Sequence, residues 1–238
     1  MAEENDKTVL VLGATGNQGG AVARQLLKRK FRVKAVTRKP DSEAAKNLSK
    51  LGAQVVQADI GDTAAIEKAI EGVWGAFSVF TMAEAGVKWE EEQGVKFAEA
   101  AKKAGVECFV YSSVASANKN TGIPHFESKW HIEEKVRRVG FPLYTIVRPV
   151  SFMENILSPR TWPAIEKGTL MMGLRPEAKQ QMIAVEDIGR FAAMAFEQPD
   201  RMNKEEIDIA GDELTVEEMA QILSNAIGKQ IKAVPVPI

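Results

Sequence analysis

The sequence has little of several features that mark particular classes of protein. Its 238 residues include one cysteine, Cys108, which excludes an intrachain disulfide framework and fits a reducing compartment. The formal net charge of -1 gives no basic excess, so we expect no direct nucleic-acid partner. No apolar run approaches membrane-spanning length, and residues 1–7 are acidic without an apolar signal segment. We therefore expect no membrane partner and a cytoplasmic location.

What the sequence does have is the composition of an ordinary globular protein. Hydrophobic residues make up 45% of the chain and charged residues 26%. The length suffices for one large domain with a sizeable core and a small appended lobe. Cys108 falls in a predicted buried strand, so we interpret it as a small core residue. We predict no metal site.

Residues 8–22 predict a strand, a glycine-rich turn and a helix in direct succession. A run of valine and leucine ends at Gly13, and a helical pattern follows. In this context Gly13 allows a tight turn, Gly16 lets the backbone approach a pyrophosphate, and Gly19 lets the helix lie close to the strand. The alternative is an ordinary tight turn. The candidate phosphate-binding residues are Gly13, Thr15, Gly16, Asn17, Gln18 and Gly19.

The end of the second predicted strand, residues 32–37, indicates which dinucleotide is preferred. Folds that bind NAD usually place an acidic residue here for the ribose 2′-hydroxyl, whereas an arginine suits a 2′-phosphate. This chain has no carboxylate before Asp41 and supplies Arg38 and Lys39. We therefore expect NADP(H) to be preferred, with NAD(H) possible. The alternative is a solvated basic turn.

Strands and helices continue to alternate up to about residue 150, and then the alternation is lost. This pattern predicts an α/β fold, a Rossmann-type doubly wound parallel sheet with a small C-terminal α+β lobe. We expect residues 1–150 to form the NADP(H)-binding domain. Residues 151–238 are expected to form a substrate-side lobe, so that the whole is one unit.

Several separate strings resemble the NmrA-like family, an atypical branch of the short-chain dehydrogenase/reductase superfamily. The glycine spacing, Gly-x-x-Gly-x-x-Gly, is the superfamily's. The strings are Gly-Ala-Thr-Gly-Asn-Gln-Gly-Gly (13–20), Val-Thr-Arg-Lys-Pro (36–40), Val-Val-Gln-Ala-Asp (55–59), His-Phe-Glu-Ser-Lys (125–129) and Arg-Pro-Val-Ser-Phe-Met-Glu-Asn (148–155). The resemblance implies either an NADPH-using reductase of quinone or phenylpropanoid type, or a sensor of the NADP(H) pool that binds a regulator.

The resemblance also assigns cofactor contacts to individual positions. Asp59 matches an aspartate that lies beside the adenine, with a helix cap or turn as the alternative. Lys129 matches the lysine that binds the nicotinamide ribose and supplies positive charge near the reaction centre, with a solvated helix lysine as the alternative. Further cofactor contacts are expected at or just beyond strand ends, at Ile60, Phe80, Thr81, Ser112, Pro149 and Phe152.

The superfamily's proton-donating tyrosine is replaced in this sequence by His125. His125 and Lys129 are four positions apart and project from one face of a helix predicted for residues 124–139. An imidazole can donate a proton near neutral pH, and the alternative is a solvent-facing residue at the helix start. His131 is expected to be solvated.

The substrate expected from these residues is small and apolar or planar. Phe80, Thr81, Phe152, Met153 and Trp162 are the candidates for an apolar mouth, with core packing as the alternative for each. We expect an oxidoreductase that transfers hydride to a quinone or carbonyl compound. The alternative is a non-catalytic NADP(H) redox sensor with a regulatory protein partner. An epimerase or dehydratase usually needs the absent tyrosine.

The last residues also differ from the pattern of the family. The resemblance implies a chain that continues past the last strand, whereas this sequence stops at Pro237-Ile238. We expect an open substrate site or a missing part of its cover. The sequence does not predict the identity of the substrate or the oligomeric state.

Overall fold

A computed structural model describes residues 5–235 of the chain. In chain order, the strands β1 to β12 are Asn5–Val11, Phe31–Thr37, Gln54–Gln57, Gly75–Val79, Cys108–Ser112, Leu143–Pro149, Ser151–Phe152, Thr169–Met172, Gln180–Ile183, Glu206–Ile209, Asp212–Leu214 and Lys232–Pro235. The α-helices α1 to α8 are Asn17–Lys28, Glu43–Lys50, Thr63–Ile70, Val87–Lys103, Pro124–Val139, Trp162–Glu166, Val185–Glu197 and Val216–Ile227. Within residues 5–235, no helix combines the length and apolar character needed to cross a bilayer.

The chain divides into two compact units, each built from two stretches of sequence. The first comprises Met1–Pro149 and Glu186–Ile209, and the second comprises Val150–Val185 and Ala210–Ile238. The single division expected after residue 150 differs from this arrangement, because most of α7 and all of β10 belong to the first unit. β10 pairs in parallel with β6. A Cβ at Gly189 of α7 would lie 2.7 Å from the backbone of Ala21, which shows how closely α7 packs on α1.

A seven-stranded parallel sheet forms the centre of the first unit. Its strand order is β10-β6-β5-β4-β1-β2-β3, and every neighbouring pair is parallel. The chain runs from β1 outwards to β3 and then returns to β4 on the other side of β1. Crevices for ligands form outside the carboxyl ends of the strands at such a reversal.

Helices cover both faces of this sheet because alternate strand residues point to opposite sides. Val9 and Val11 of β1 pack into a core with α1, α2 and α7. Leu10 and Leu12 pack into the opposite core, which α3, α4 and α5 cover. The Rossmann-type doubly wound fold predicted from the alternation is confirmed. The helix predicted for residues 124–139 is also confirmed as α5.

The second unit has its own small core and two short sheets. One sheet has the order β11-β9-β7, and the other pairs β12 with β8. Leu170, Met182 and Met219 are buried between these strands and the helices α6 and α8. Thr215 caps α8, because its side chain accepts a hydrogen bond from the backbone N–H of Glu218. The side chain of Glu218 accepts one from the backbone N–H of Thr215, which completes a capping box.

Candidate functional site

The turn between β1 and α1 has the geometry that its glycines predict. Gly13 has a φ of +59°, a left-handed conformation that L side chains rarely adopt. Its carbonyl accepts a hydrogen bond of 2.8 Å from the N–H of Gly16, which closes the turn. A Cβ at Gly19 would lie 2.3 Å from the carbonyl oxygen of Gly13, so only glycine lets α1 start this close to the turn.

The N-terminus of α1 is suited to bind an anion. Gly16 is the N-cap, and among the described residues no side chain caps the free N–H groups of the first turn. The first turn carries no acidic residue. These N–H groups and the positive end of the helix dipole favour negative charge, as in dinucleotide folds. The turn therefore has the geometry that its glycines predict, and phosphate binding by it stays a prediction.

Two predicted site residues from distant parts of the sequence meet at the end of β5. The hydroxyl of Ser112 donates a hydrogen bond of 2.6 Å to the Oε1 of Gln18, in the first turn of α1. Ser112 is fully buried. Because α1 follows β1 and Ser112 ends β5, the bond fixes the start of α1 relative to the central strands.

The end of β2 carries the two predicted cations. Arg38 and Lys39 are exposed. Thr37 Oγ1 accepts a hydrogen bond from the N–H of Lys39 and lies 3.1 Å from Thr15 Oγ1, so the two turns are tied together. Arg38 Nη2 lies 3.2 Å from Oε1 of Glu84, in the loop after β4. The sequence analysis did not identify Glu84, whose partner lies 46 positions earlier.

At the end of β3 the structure shows a turn. Asp59 is exposed, and its Oδ1 accepts a hydrogen bond of 2.8 Å from the N–H of Gly61. Ile60 is half-buried against the core. The next carboxylate, Asp62, caps α3 by accepting a hydrogen bond from the N–H of Ala65. Asp59 thus makes the turn of the alternative interpretation, and its contact with the adenine stays a prediction.

Lys129 lies at the carboxyl end of β4, held by a buried carboxylate. Its Nζ is 2.8 Å from Oε1 of Glu90 and donates a hydrogen bond of 2.9 Å to the carbonyl of Phe80. The side chain of Lys129 is 12% exposed and that of Glu90 is 1% exposed. The second carboxylate oxygen, Oε2, accepts from the hydroxyl of Ser128. The alternative of a freely solvated lysine is therefore wrong.

Glu90 was not predicted as a site residue. In the sequence it is one of three consecutive glutamates in the first turns of α4, where acidic residues favour the helix dipole. Burial distinguishes Glu90, since its neighbours Glu91 and Glu92 keep substantial exposure. The one signal available in the sequence was that Glu90, unlike Glu91 and Glu92, shares the helical spacing of the buried residues of α4.

His125 stands one helical turn before Lys129, at the start of α5. Its ring is half-buried and packs edge-on against Phe126, with the ring centroids 4.7 Å apart. The ring of His125 is therefore neither fully exposed to solvent nor fully buried in the core. His131 is about half exposed, and its Nδ1 lies 3.1 Å from Oε2 of Glu91.

Neither tyrosine of the chain replaces the missing proton donor. Tyr111 is fully buried in β5, and burial, with the negative charges of Glu90 and Glu133, raises its pKa well above the usual value. Tyr144 packs against the same core. Tyr111, whose ionisation is this unfavourable away from solvent, is a poor proton donor, and Tyr144 lies near the start of β6, at the opposite end of the parallel strands from the glycine turn.

Of the residues expected to line an apolar mouth, Phe80 is in the core. Its side chain is 4% exposed and packs against Phe97 at 6.1 Å between ring centroids, so core packing is the interpretation that holds. Thr81 beyond it is exposed. Pro149 is buried at the end of β6, where its carbonyl accepts from the N–H of Ala115.

Three further candidates belong to the second unit. Phe152 is half-buried in β7, where it pairs with Ile183 of β9. Met153 and Trp162 are partly buried against the core of that unit. Glu154 accepts a hydrogen bond of 2.9 Å from the N–H of Val185. Met153 and Trp162 therefore pack against the core of the second unit, which is the alternative interpretation given for both.

A network of ion pairs around the buried Arg148 and Glu133 holds together the edge of the sheet formed by β6 and β10. Arg148 of β6 donates hydrogen bonds to Glu133 of α5 and Glu206 of β10, and Arg137 joins both carboxylates. The hydrogen bonds that Arg137 and Arg148 donate to Glu206, chiefly that of Arg137, lower the pKa of the Glu206 carboxyl. Arg148 thereby joins β6 to α5 and β10.

The thiol and acidic groups offer no further chemistry within the described residues. Burial raises the pKa of Cys108 to about 12, so its thiolate, the reactive form, is not available near neutral pH. No group of three or more histidine, cysteine, aspartate or glutamate side chains in residues 5–235 is arranged to hold a metal ion.

Comparison with known protein families gives one match over nearly the whole chain. The sequence model of the NmrA-like family matches residues 5–238. The chain is 32% identical to the NmrA-like family domain-containing oxidoreductase malD of Malbranchea aurantiaca, over 96% of this chain and 75% of that protein. It is 30% identical to an NmrA-like family domain-containing protein of Dictyostelium discoideum, over 94% of this chain and 79% of that protein.

Solved structures share the fold over the same extent. The triphenylmethane reductase of Citrobacter sp., complexed with NADP(H), superposes with a TM-score of 0.82 at 22% identity, over 98% of this chain and 79% of the reductase. The negative transcriptional regulator NmrA, in complex with NADP, gives 0.82 at 21% identity, over 98% and 75%. The Escherichia coli NADPH-dependent quinone oxidoreductase QOR2, complexed with NADPH, gives 0.80 at 27% identity, over 97% and 78%.

Proposed function

This chain belongs to the NmrA-like family, and on that premise we propose that it is an NADP(H)-dependent oxidoreductase that reduces a small quinone or carbonyl compound. The observation that carries the proposal is the position of Lys129. Its ammonium group is held at the carboxyl end of β4, on the edge of the sheet where the glycine turn follows β1. A phosphate site and a fixed cation on one sheet edge suit the two ends of a dinucleotide.

The residues present fit a nicotinamide dinucleotide. Gly19 lets α1 begin close against the glycine turn, and the start of α1 offers free N–H groups for the pyrophosphate. Arg38 supplies a guanidinium for a 2′-phosphate, which supports NADP(H) over NAD(H). Among the similar solved structures, the NmrA regulator is found in complex with NAD and with NADP, and the quinone oxidoreductase in complex with NADPH.

We assign the chemical roles to the two residues on one face of α5. Bound nicotinamide supplies the hydride. Lys129 would hold the adjoining ribose and keep positive charge beside the reacting carbonyl. His125, or water, would donate the proton that completes the reduction, a contribution of about 10²–10⁴-fold. The likeness to a quinone oxidoreductase supports a quinone as substrate.

A second candidate function is a redox sensor that binds NADP(H) without turnover and contacts a regulatory protein. Its support is the histidine at position 125, where catalytic superfamily members carry tyrosine, and the likeness to the NmrA transcriptional regulator. We favour the reductase because most of the family relatives are named oxidoreductases. From the single cysteine we also propose a cytoplasmic location.

Steady-state oxidation of NADPH against a panel of quinones, enals and triphenylmethane dyes tests the proposal. We expect turnover of at least one compound, and a loss of kcat in Lys129→Ala with NADPH still bound. Lys135→Ala is the matched control, because Lys135 lies further along α5 and pairs with Glu99. Saturable NADPH binding with no turnover of any compound would overturn the reductase and favour the sensor.

A further inference from the structure

An ion pair joins the cation proposed for the 2′-phosphate to a carboxylate from another loop. Arg38 immediately follows β2, and Glu84 lies in the loop between β4 and α4. Nη2 of Arg38 and Oε1 of Glu84 are 3.2 Å apart. The side chain of Arg38 is 59% exposed and that of Glu84 is 29% exposed. The guanidinium thus remains open to solvent while one of its donors is already used.

The pair connects the two strands that flank β1. The strand order β4-β1-β2 places β1 between them, and the glycine turn begins where β1 ends. Neighbouring strands are about 4.8 Å apart, so Arg38 and Glu84 reach towards each other across two strand spacings. A carboxylate is therefore brought to the edge at which the ribose of a bound dinucleotide is expected.

The loop that carries Glu84 is ordered by its own hydrogen bonds. Thr81 Oγ1 accepts a hydrogen bond from the N–H of Ala83, and the N–H of Gly86 donates a hydrogen bond of 2.8 Å to the carbonyl of Met82. Gly86 has a φ of +91°, which suits a glycine at the end of such a turn. Since these contacts do not involve Arg38, the loop holds Glu84 near the cation independently of the ion pair.

We propose that Glu84 sets the choice between NADPH and NADH by competing with the 2′-phosphate for Arg38. The inference rests on the proposed dinucleotide site. A phosphate at Arg38 meets a guanidinium already paired with Glu84, so it either displaces that carboxylate or lies beside its negative charge. A 2′-hydroxyl carries no charge and meets no such repulsion. Arg38 raises the affinity for NADPH above that for NADH, and Glu84 makes this difference in affinity smaller. Both dinucleotides can therefore bind.

Calorimetric dissociation constants for NADPH and NADH at one low ionic strength test this. In Glu84→Gln we expect the NADPH constant to fall about three- to tenfold, with the NADH constant changed by less than about twofold. Glu92→Gln is the matched control, because it removes the same charge from an exposed site on α4, where it pairs with Lys88. We expect no change in selectivity there.

The same substitution in an Arg38→Ala background separates competition from general repulsion. Competition requires Arg38, so the gain for NADPH should largely vanish in the double variant. An equal gain with and without Arg38, an unchanged ratio of the two constants, or a selective loss of NADH binding would overturn the inference. Failure of the unaltered protein to bind either dinucleotide would instead remove the proposed function, and this inference with it.

Discussion

Lys129 and Glu90 form a buried ion pair between α5 and α4, with Nζ 2.8 Å from Oε1. Ser128 donates to the second oxygen of the same carboxylate. Glu90 therefore fixes the position of the ammonium group while Phe80 supplies a carbonyl acceptor. We regard Glu90 as a positioning residue for Lys129, since the carboxylate is buried and acts through the lysine.

Removing one partner of this pair should destabilise the protein more than removing both. Glu90→Gln leaves the Lys129 charge buried without its counter-charge, and we expect the free energy of unfolding to fall by about 3–5 kcal/mol. Combining it with Lys129→Met should restore part of that loss, because an apolar side chain needs no counter-charge. Urea denaturation measures both.

Glu92→Gln serves as the control for this cycle, because Glu92 is exposed and should contribute little. If the loss in Glu90→Gln were no greater than in Glu92→Gln, the ion pair would not be a structural element. Glu90→Gln should also lower kcat with NADPH still bound, as in Lys129→Ala, and Glu90→Asp should restore part of that kcat, which a purely structural role in stability would not require.

Arg38→Ala should weaken NADPH binding far more than NADH binding. A charge-assisted bond from a guanidinium to phosphate is worth about 1.5–3 kcal/mol, so we expect a rise of about tenfold to hundredfold in the NADPH dissociation constant. Arg32→Ala is the control, since Arg32 lies in β2, the strand that Arg38 follows, and pairs with Asp6. Equal losses for both dinucleotides in Arg38→Ala would contradict the 2′-phosphate assignment.

Gly19→Ala should disrupt the phosphate turn. The added Cβ would lie 2.3 Å from the carbonyl oxygen of Gly13, so either α1 or the turn must shift, at a cost of about 1–3 kcal/mol. We expect binding of both dinucleotides to be lost with the fold retained by circular dichroism. Gly20→Ala, whose Cβ would meet Ala14 O at 3.2 Å, should be milder. Similar binding in the two variants would argue against close packing as the requirement.

Stability should fall in acid as Glu206 becomes protonated. Its pKa is lower in the folded protein than its usual value of 4.5, because Arg137 and Arg148 favour the carboxylate. The unfolded chain therefore takes up protons first, so this contribution is complete above about pH 5 and is lost as the pH falls below 4.5. Urea midpoints between about pH 6 and pH 3 measure the slope.

Glu206→Gln should be less stable at neutral pH and show a shallower decline in acid than the unaltered chain. Glu217→Gln, at an exposed position of α8, should keep the full decline. A decline of the same steepness in Glu206→Gln would assign the acid sensitivity to other carboxylates.

Local patterns in the sequence were enough to predict the sheet and the phosphate turn. The valine and leucine run before Gly13, the helix of residues 124–139 and the cap at Asp62 all follow from interactions between near neighbours. The spacing of His125 and Lys129 likewise placed both on α5.

What the sequence could not predict depends on contacts between distant positions. Glu90 meets Ser128 across 38 positions and Glu84 meets Arg38 across 46, and neither pair leaves a local pattern. The return of α7 and β10 to the first unit has the same origin, because the short sequence of β10 does not indicate that the strand pairs with β6. Phe80 has an aromatic side chain suited to either a pocket or a core, and burial decides between them.

The central claim is that the glycine turn and Arg38 form a nicotinamide dinucleotide site, and isothermal titration calorimetry with NADPH and NADH tests it most directly. We expect one saturable site for NADPH, a weaker one for NADH, and loss of both in Gly19→Ala. No saturable binding of either dinucleotide at millimolar concentration would contradict the claim.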